Sequence, residues 1–162
     1  MLRLRNAQVA TQSGARPLAL VIDDEPDVAT YLSAVLADHG WRTRVEHRAE
    51  AGLEAARAET PDLVLLDVMM PERGGVSTLV AIRKDPRLAS VPVVLVTGMQ
   101  RQLTCRWEDM LHLARQFRPD AVIEKPVTPE HLLEVIDGIL RRHASGSGDS
   151  LANDRPMVVT ER

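Results

Sequence analysis

Seven polar residues in this chain follow short aliphatic runs, and their types suit the handling of a phosphoryl group. Asp23, Asp24 and Glu25 come after "LALVI", Asp67 after "LVLL", Thr97 after "VVLV", and Glu124 with Lys125 after "AVI". A carboxylate at the end of a buried run is costly unless something there uses its charge. Brought together, Asp23, Asp24 and Asp67 would repel by about 4 kcal/mol per pair at about 4 Å and an effective dielectric of about 20. Such a cluster takes up a proton or holds a cation. Oxygen ligands without a nearby histidine or cysteine favour Mg²⁺, or Mn²⁺, over zinc. With the cation in place, one carboxylate can attack a phosphoryl donor and become an aspartyl-phosphate. The Lys125 ammonium and the Thr97 hydroxyl would then supply charge and hydrogen bonds to the transferring oxygens.

Taken singly, each feature has an ordinary structural explanation. An Asp-Asp pair before proline makes a helix-entry turn, a lone aspartate after a strand caps a loop, and "VTG" or "EKP" is common turn chemistry. Their conjunction is what points to a site, because four of five expected strands end in a group of this kind.

The elements that must position these residues alternate between two patterns. Apolar runs at residues 18–22, 63–66, 93–96 and 121–123 read as strands buried on both faces. "WRTRV", residues 41–45, alternates and reads as an edge strand. Between them lie helical periodicities: Val28, Leu32, Val35 and Leu36, opened by Pro26 and stopped by Gly40; an alanine-rich stretch over 49–59 before Pro61; and 75–84 before Asp85-Pro86. A fourth helix is expected through Leu103, Trp107, Met110, Leu111, Ala114 and Phe117. A last one, capped by Thr128 with Pro129 and Glu130 in its first turn, is expected to end near Arg141 and Arg142. This alternation predicts an α/β fold with a parallel sheet covered by helices on both sides. Ligands of such sheets bind beyond the carboxyl ends of the strands, where the polar residues stand.

Length and composition set further bounds. At 162 residues, one domain with loose ends is expected. Residues 1–16 read as a flexible basic arm carrying Arg3, Arg5 and Arg16, residues 17–143 as the domain, and 144–162 as a flexible Gly/Ser-rich tail containing "PMVVT". A net charge of -3 and only two Trp, one Tyr and one Phe argue against direct nucleic-acid binding or flavin stacking. The single cysteine, Cys105, excludes an internal disulfide and fits a reducing, cytoplasmic setting, with the thiol a spectator. No run is long and apolar enough for a membrane span.

As a set, the acidic pair in "VIDDE", Asp67 in "LLDVMMP", Thr97 in "VTG" and Lys125 in "EKP" resemble the receiver domain of two-component response regulators, in the family's order. Gly75, eight residues past Asp67, resembles the family's loop glycine. The likeness covers about residues 17–143. It implies a flavodoxin-like, doubly wound (βα)5 fold with a five-stranded parallel sheet of order 2-1-3-4-5. It also implies Asp67 as phosphoacceptor, with Thr97 and Lys125 assisting, and Mg²⁺ held directly by Asp24 and Asp67, through water by Asp23, and by the backbone carbonyl of Met69. A cis Lys125-Pro126 peptide is implied too. The donor would be a phosphohistidine of a sensor histidine kinase or phosphotransfer protein. The output would be altered binding to another protein, as adaptor or relay intermediate. On this reading the chain is no enzyme beyond its own phosphorylation and dephosphorylation.

Two positions depart from the family pattern. Val122 stands where receivers usually carry Tyr or Phe, and the chain between Thr97 and Lys125 is long by more than one helical turn, with Trp107 and Phe117 inside it. Thr97, Val122 and Trp107 are therefore the switch candidates, against the plainer reading of Trp107 and Phe117 as helix-core residues. Met69 and Met99, two positions past Asp67 and Thr97, are candidates for limiting water at the site. The alternatives are a haloacid-dehalogenase-like phosphohydrolase, disfavoured because "DDE" comes first and is no D-x-D, and a pseudo-receiver that binds partners without phosphorylation.

Overall fold

The computed structural model describes residues 14–98 and 117–145, together with the backbone of 157–159. The aliphatic runs form strands β1 (Leu18–Ile22), β3 (Leu63–Asp67), β4 (Val93–Thr97) and β5 (Ala121–Glu124), and the polar run forms β2 (Arg42–Glu46). The helices among the described residues are α1 (Pro26–Asp38), α2 (Ala49–Ala58), α3 (Gly75–Lys84) and α4 (Pro129–Ala144). All strand pairings are parallel, in the order β2-β1-β3-β4-β5 that was expected, with β2 on the edge. The helix expected through Leu103 to Phe117 lies outside the described residues except for its last position. Trp107, Met99 and Cys105 fall there as well.

Alternation along each strand divides the core into two layers. Ala19, Val21, Leu65 and Val96 pack with Leu32 and Leu36 of α1 and with Leu132 and Ile136 of α4. Leu20, Ile22, Leu66 and Leu95 pack on the opposite face with Leu53 of α2 and Leu79 and Ile82 of α3. Strands β1, β3 and β4 are buried at every position, which explains why they read as continuous apolar runs. Each fully buried Leu or Ile contributes about 2 kcal/mol.

The helix ends follow the sequence signals. Pro26 opens α1, and the chain leaves it through Gly40 in the left-handed region, φ 91°. Thr128 caps α4, its hydroxyl accepting from the His131 N–H at 3.3 Å. That helix runs two residues past Arg142, to Ala144.

Two boundaries need correction. The tail is not wholly loose, because Met157–Val159 forms a sixth strand, β6, parallel to β5, and makes the sheet six-stranded. Its cause is the outer edge of β5, whose backbone groups would otherwise lack strand partners and which a branched apolar segment can pair. At the other end, Arg16 belongs to the fold rather than to the arm. Its guanidinium donates to the carbonyls of Gly40 and Trp41 at 3.1 and 3.2 Å.

A polar staple closes the amino-terminal ends of β4 and β5. The Arg83 guanidinium, with a side chain only 7% exposed, meets Asp120 at 2.9 Å and donates to the carbonyls of Val91, Ala89 and Arg118. Asp120 also accepts from the Val93 N–H at 2.8 Å and lies 2.9 Å from His143 Nε2.

Candidate functional site

The carboxyl ends of β1, β3 and β5 bring the expected acidic and basic residues into one place. Asp67, the last residue of β3, is 3% exposed, and Asp23, just past β1, is 1% exposed. Lys125, just past β5, reaches back over the sheet so that its Nζ lies 3.0 Å from Asp23 Oδ2 and 3.8 Å from Asp67 Oδ1. It also donates to Glu25 Oε1 at 2.8 Å. Thr97, the last residue of β4, is fully buried, and its carbonyl accepts the Lys125 N–H at 2.7 Å. The Lys125-Pro126 peptide is cis, as expected.

Local hydrogen bonds fix the two buried carboxylates. Asp23 Oδ1 accepts from the Glu25 N–H at 2.9 Å, and the Asp23 carbonyl lies 3.0 Å from His47 Nδ1. Asp67 Oδ1 accepts from the Met69 N–H at 3.3 Å. The loop that follows is held close by Gly75, whose N–H donates to the Val68 carbonyl at 3.0 Å. A Cβ on Gly75 would stand 2.2 Å from the Asp67 carbonyl oxygen, so only glycine lets α3 begin against the end of β3.

The electrostatics follow from burial and crowding. Burial first, and then the charge of Asp23, raises the Asp67 carboxyl from 3.8 to about 7, against the opposing pull of Lys125 and the Met69 N–H. Burial alone would lower Lys125, yet its contacts with Glu25 and Asp23 and the charge of Asp67 raise it above lysine's ordinary value. Carboxylate oxygens of Asp23, Glu25 and Asp67 lie within 4.8 Å of one another. Asp24 Oδ1 is buried with no hydrogen-bond partner among the described residues. A cluster of acids with one oxygen unpaired suits a hard, oxygen-loving cation such as Mg²⁺, which takes carboxylate and carbonyl oxygens alike.

Set against the expectations, Asp23, Asp67 and Lys125 meet, Asp24 borders the cluster through its influence on Asp67, and Thr97 closes the end of the neighbouring strand. Met69 contributes its N–H to Asp67 while its side chain is 47% exposed. Val122 is buried in the layer facing α2 and α3, so no ring occupies that place. Phe117 is half-buried, with the Lys84 ammonium 5.7 Å from its ring centroid. Glu25 also takes part, as a partner of the Lys125 ammonium, a role that its place in the sequence did not assign.

A parallel sheet of order 2-1-3-4-5 with an acidic cluster at its carboxyl edge defines a flavodoxin-like α/β domain of the CheY type. Residues 19–137 match the response regulator receiver domain, and the chain belongs to that family. It is 32% identical over 121 residues to Protein PilH of Pseudomonas aeruginosa, covering 75% of this chain and 95% of PilH. It is 37% identical over 133 residues to the transcriptional regulatory protein CpxR homolog of Haemophilus influenzae, covering 80% of this chain but only 53% of that protein. The chain thus spans nearly all of one relative and about half of the other. Among solved structures, the CheY-like response regulator receiver domain protein of Methanospirillum hungatei superposes with a TM-score of 0.68 at 25% identity, over 82% of this chain and 100% of that one. Family membership decides for the receiver over the phosphohydrolase alternative. The family implies an encounter with a histidine kinase or phosphotransfer protein. No helix among the described residues is long and apolar enough to cross a membrane.

Proposed function

We propose that Asp67 accepts a phosphoryl group from a phosphohistidine and that the protein signals by a change in protein–protein binding, as an adaptor or relay intermediate in the cytoplasm. The observation that carries this reading is the placing of one buried carboxylate, Asp67, 3.8 Å from the Lys125 ammonium within a cluster of acids. A carboxylate oxygen of Asp67 attacks phosphorus, the phosphorus–nitrogen bond breaks, and its electron pair leaves with the imidazole. Lys125, released from Glu25, follows the new negative charge toward Asp67, and the Thr97 hydroxyl turns to the same oxygens. Asp23, Asp24, Asp67 and the Met69 carbonyl, with Glu25 beside them, would hold Mg²⁺. When bound, the ion offsets the repulsion among the acids and neutralises charge on the phosphoryl oxygens.

Beryllofluoride, which mimics a phosphoryl group on a carboxylate, tests the reading. With Mg²⁺ it should shift the backbone resonances of Thr97 and Lys125 in the wild type and leave Asp67→Asn unchanged. Equal shifts in both proteins, or none in the wild type, would favour partner binding without phosphorylation.

A further inference from the structure

The sixth strand has no part in the proposed phosphoryl chemistry. It pairs Met157, Val158 and Val159 with Ala121, Val122 and Ile123, along the edge where β5 would otherwise end the sheet. The segment is short, three residues in all. Its neighbours in the sequence include Pro156, which has no N–H to donate, and the charged Arg155, Glu161 and Arg162. Three paired residues form the kind of contact that opens at low free energy and closes again.

We propose that the outer edge of β5 is a docking site for an extended peptide, occupied in cis by this chain's own Met157–Val159 as a reversible cap. The occupant is specified by what the edge already holds: a parallel strand with branched apolar residues opposite Val122 and Ile123. Recognition is by strand addition, in which backbone hydrogen bonds give affinity and alternate side chains give selectivity. The covalent connection through residues 145–156 makes the cap an intramolecular competitor at an effective concentration on the order of 1 mM. A cap that binds the bare edge with a dissociation constant of about 0.1 mM would then exclude a competing segment by about tenfold.

The test uses the full chain and a fluorescent peptide spanning residues 154–162. Val158→Pro removes a backbone donor from the cap, and V158G/V159G keeps the donors while deleting the branched side chains. Both variants should bind the peptide at least about tenfold more tightly than the wild type. Their amide spectra should change at Ala121–Ile123 and stay fixed at β1 and β3, which also shows that the fold is kept. Equal peptide binding by wild type and variants, no binding by either variant, or unchanged resonances at Ala121–Ile123 in both would overturn the proposal. Phosphorylation of Asp67 is not needed for any of these outcomes.

Discussion

Glu25 and Lys125 stand one hundred positions apart in the chain and meet at 2.8 Å. This contact, with Asp23 on the other side, turns the ammonium toward the end of β1 and leaves it 3.8 Å from Asp67. Lysine is a flexible point charge, so the arrangement holds it ready while leaving it free to move. Because the Glu25 side chain is 61% exposed, its hold is weak and screened.

Glu25→Gln should therefore bring the Lys125 pKa only part of the way back toward lysine's ordinary value, because only part of the surrounding negative charge is lost. An NMR titration of the lysine Nζ resonances reads this directly. A larger fall would make Glu25 the dominant partner, and an unchanged value would mean that Asp23 and Asp67 hold the ammonium alone.

The raised Asp67 pKa gives a pH dependence of definite sign. Between about pH 4 and pH 7 the folded protein keeps a proton on Asp67 that the unfolded chain has released, so stability without cation falls as pH rises through that window. Asp67→Asn has no such slope and should be more stable than the wild type at pH 8 by about 2–4 kcal/mol in EDTA. Mg²⁺ should narrow the gap, since it binds the ionised wild-type site. Urea unfolding at pH 4.5 and pH 8, with and without Mg²⁺, checks all three statements.

Much of this arrangement was legible in the sequence, and the reasons are particular. "LVLLD", bounded by turn formers, read as a strand buried on both faces, and its place in the sheet carried Asp67 to the carboxyl edge beside Asp23. Gly75 announced a close approach that the Asp67 carbonyl enforces. Glu25 was not legible as a partner of Lys125, because the contact depends on how far a side chain reaches across the sheet. Strand β6 was hidden by composition. A three-residue strand among Gly, Ser and Asp has no periodicity to detect, and only the free edge of β5 makes it pair. Nor did any pattern announce that Arg83 would meet Asp120 beneath the sheet.

That staple carries its own prediction. Burial alone would raise Asp120, but hydrogen bonds from His143 and the Val93 N–H and the charge of Arg83 bring it below the ordinary carboxylate value. Its stabilisation is therefore present above about pH 4 and lost as pH falls through the lower, folded-state value. Asp120→Asn leaves the buried Arg83 charge unpaired and should cost about 2–4 kcal/mol at pH 7, the difference shrinking toward pH 3. Chemical denaturation across that range measures it.

The central claim is that Asp67 is the acceptor of a phosphoryl group, and intact-mass measurement after incubation with acetyl phosphate and Mg²⁺ tests it most directly. The wild type should gain the mass of one phosphoryl group, which EDTA should prevent and Asp67→Asn should abolish. A wild type that stays unmodified, or an Asp67→Asn protein labelled to the same extent, would contradict the account.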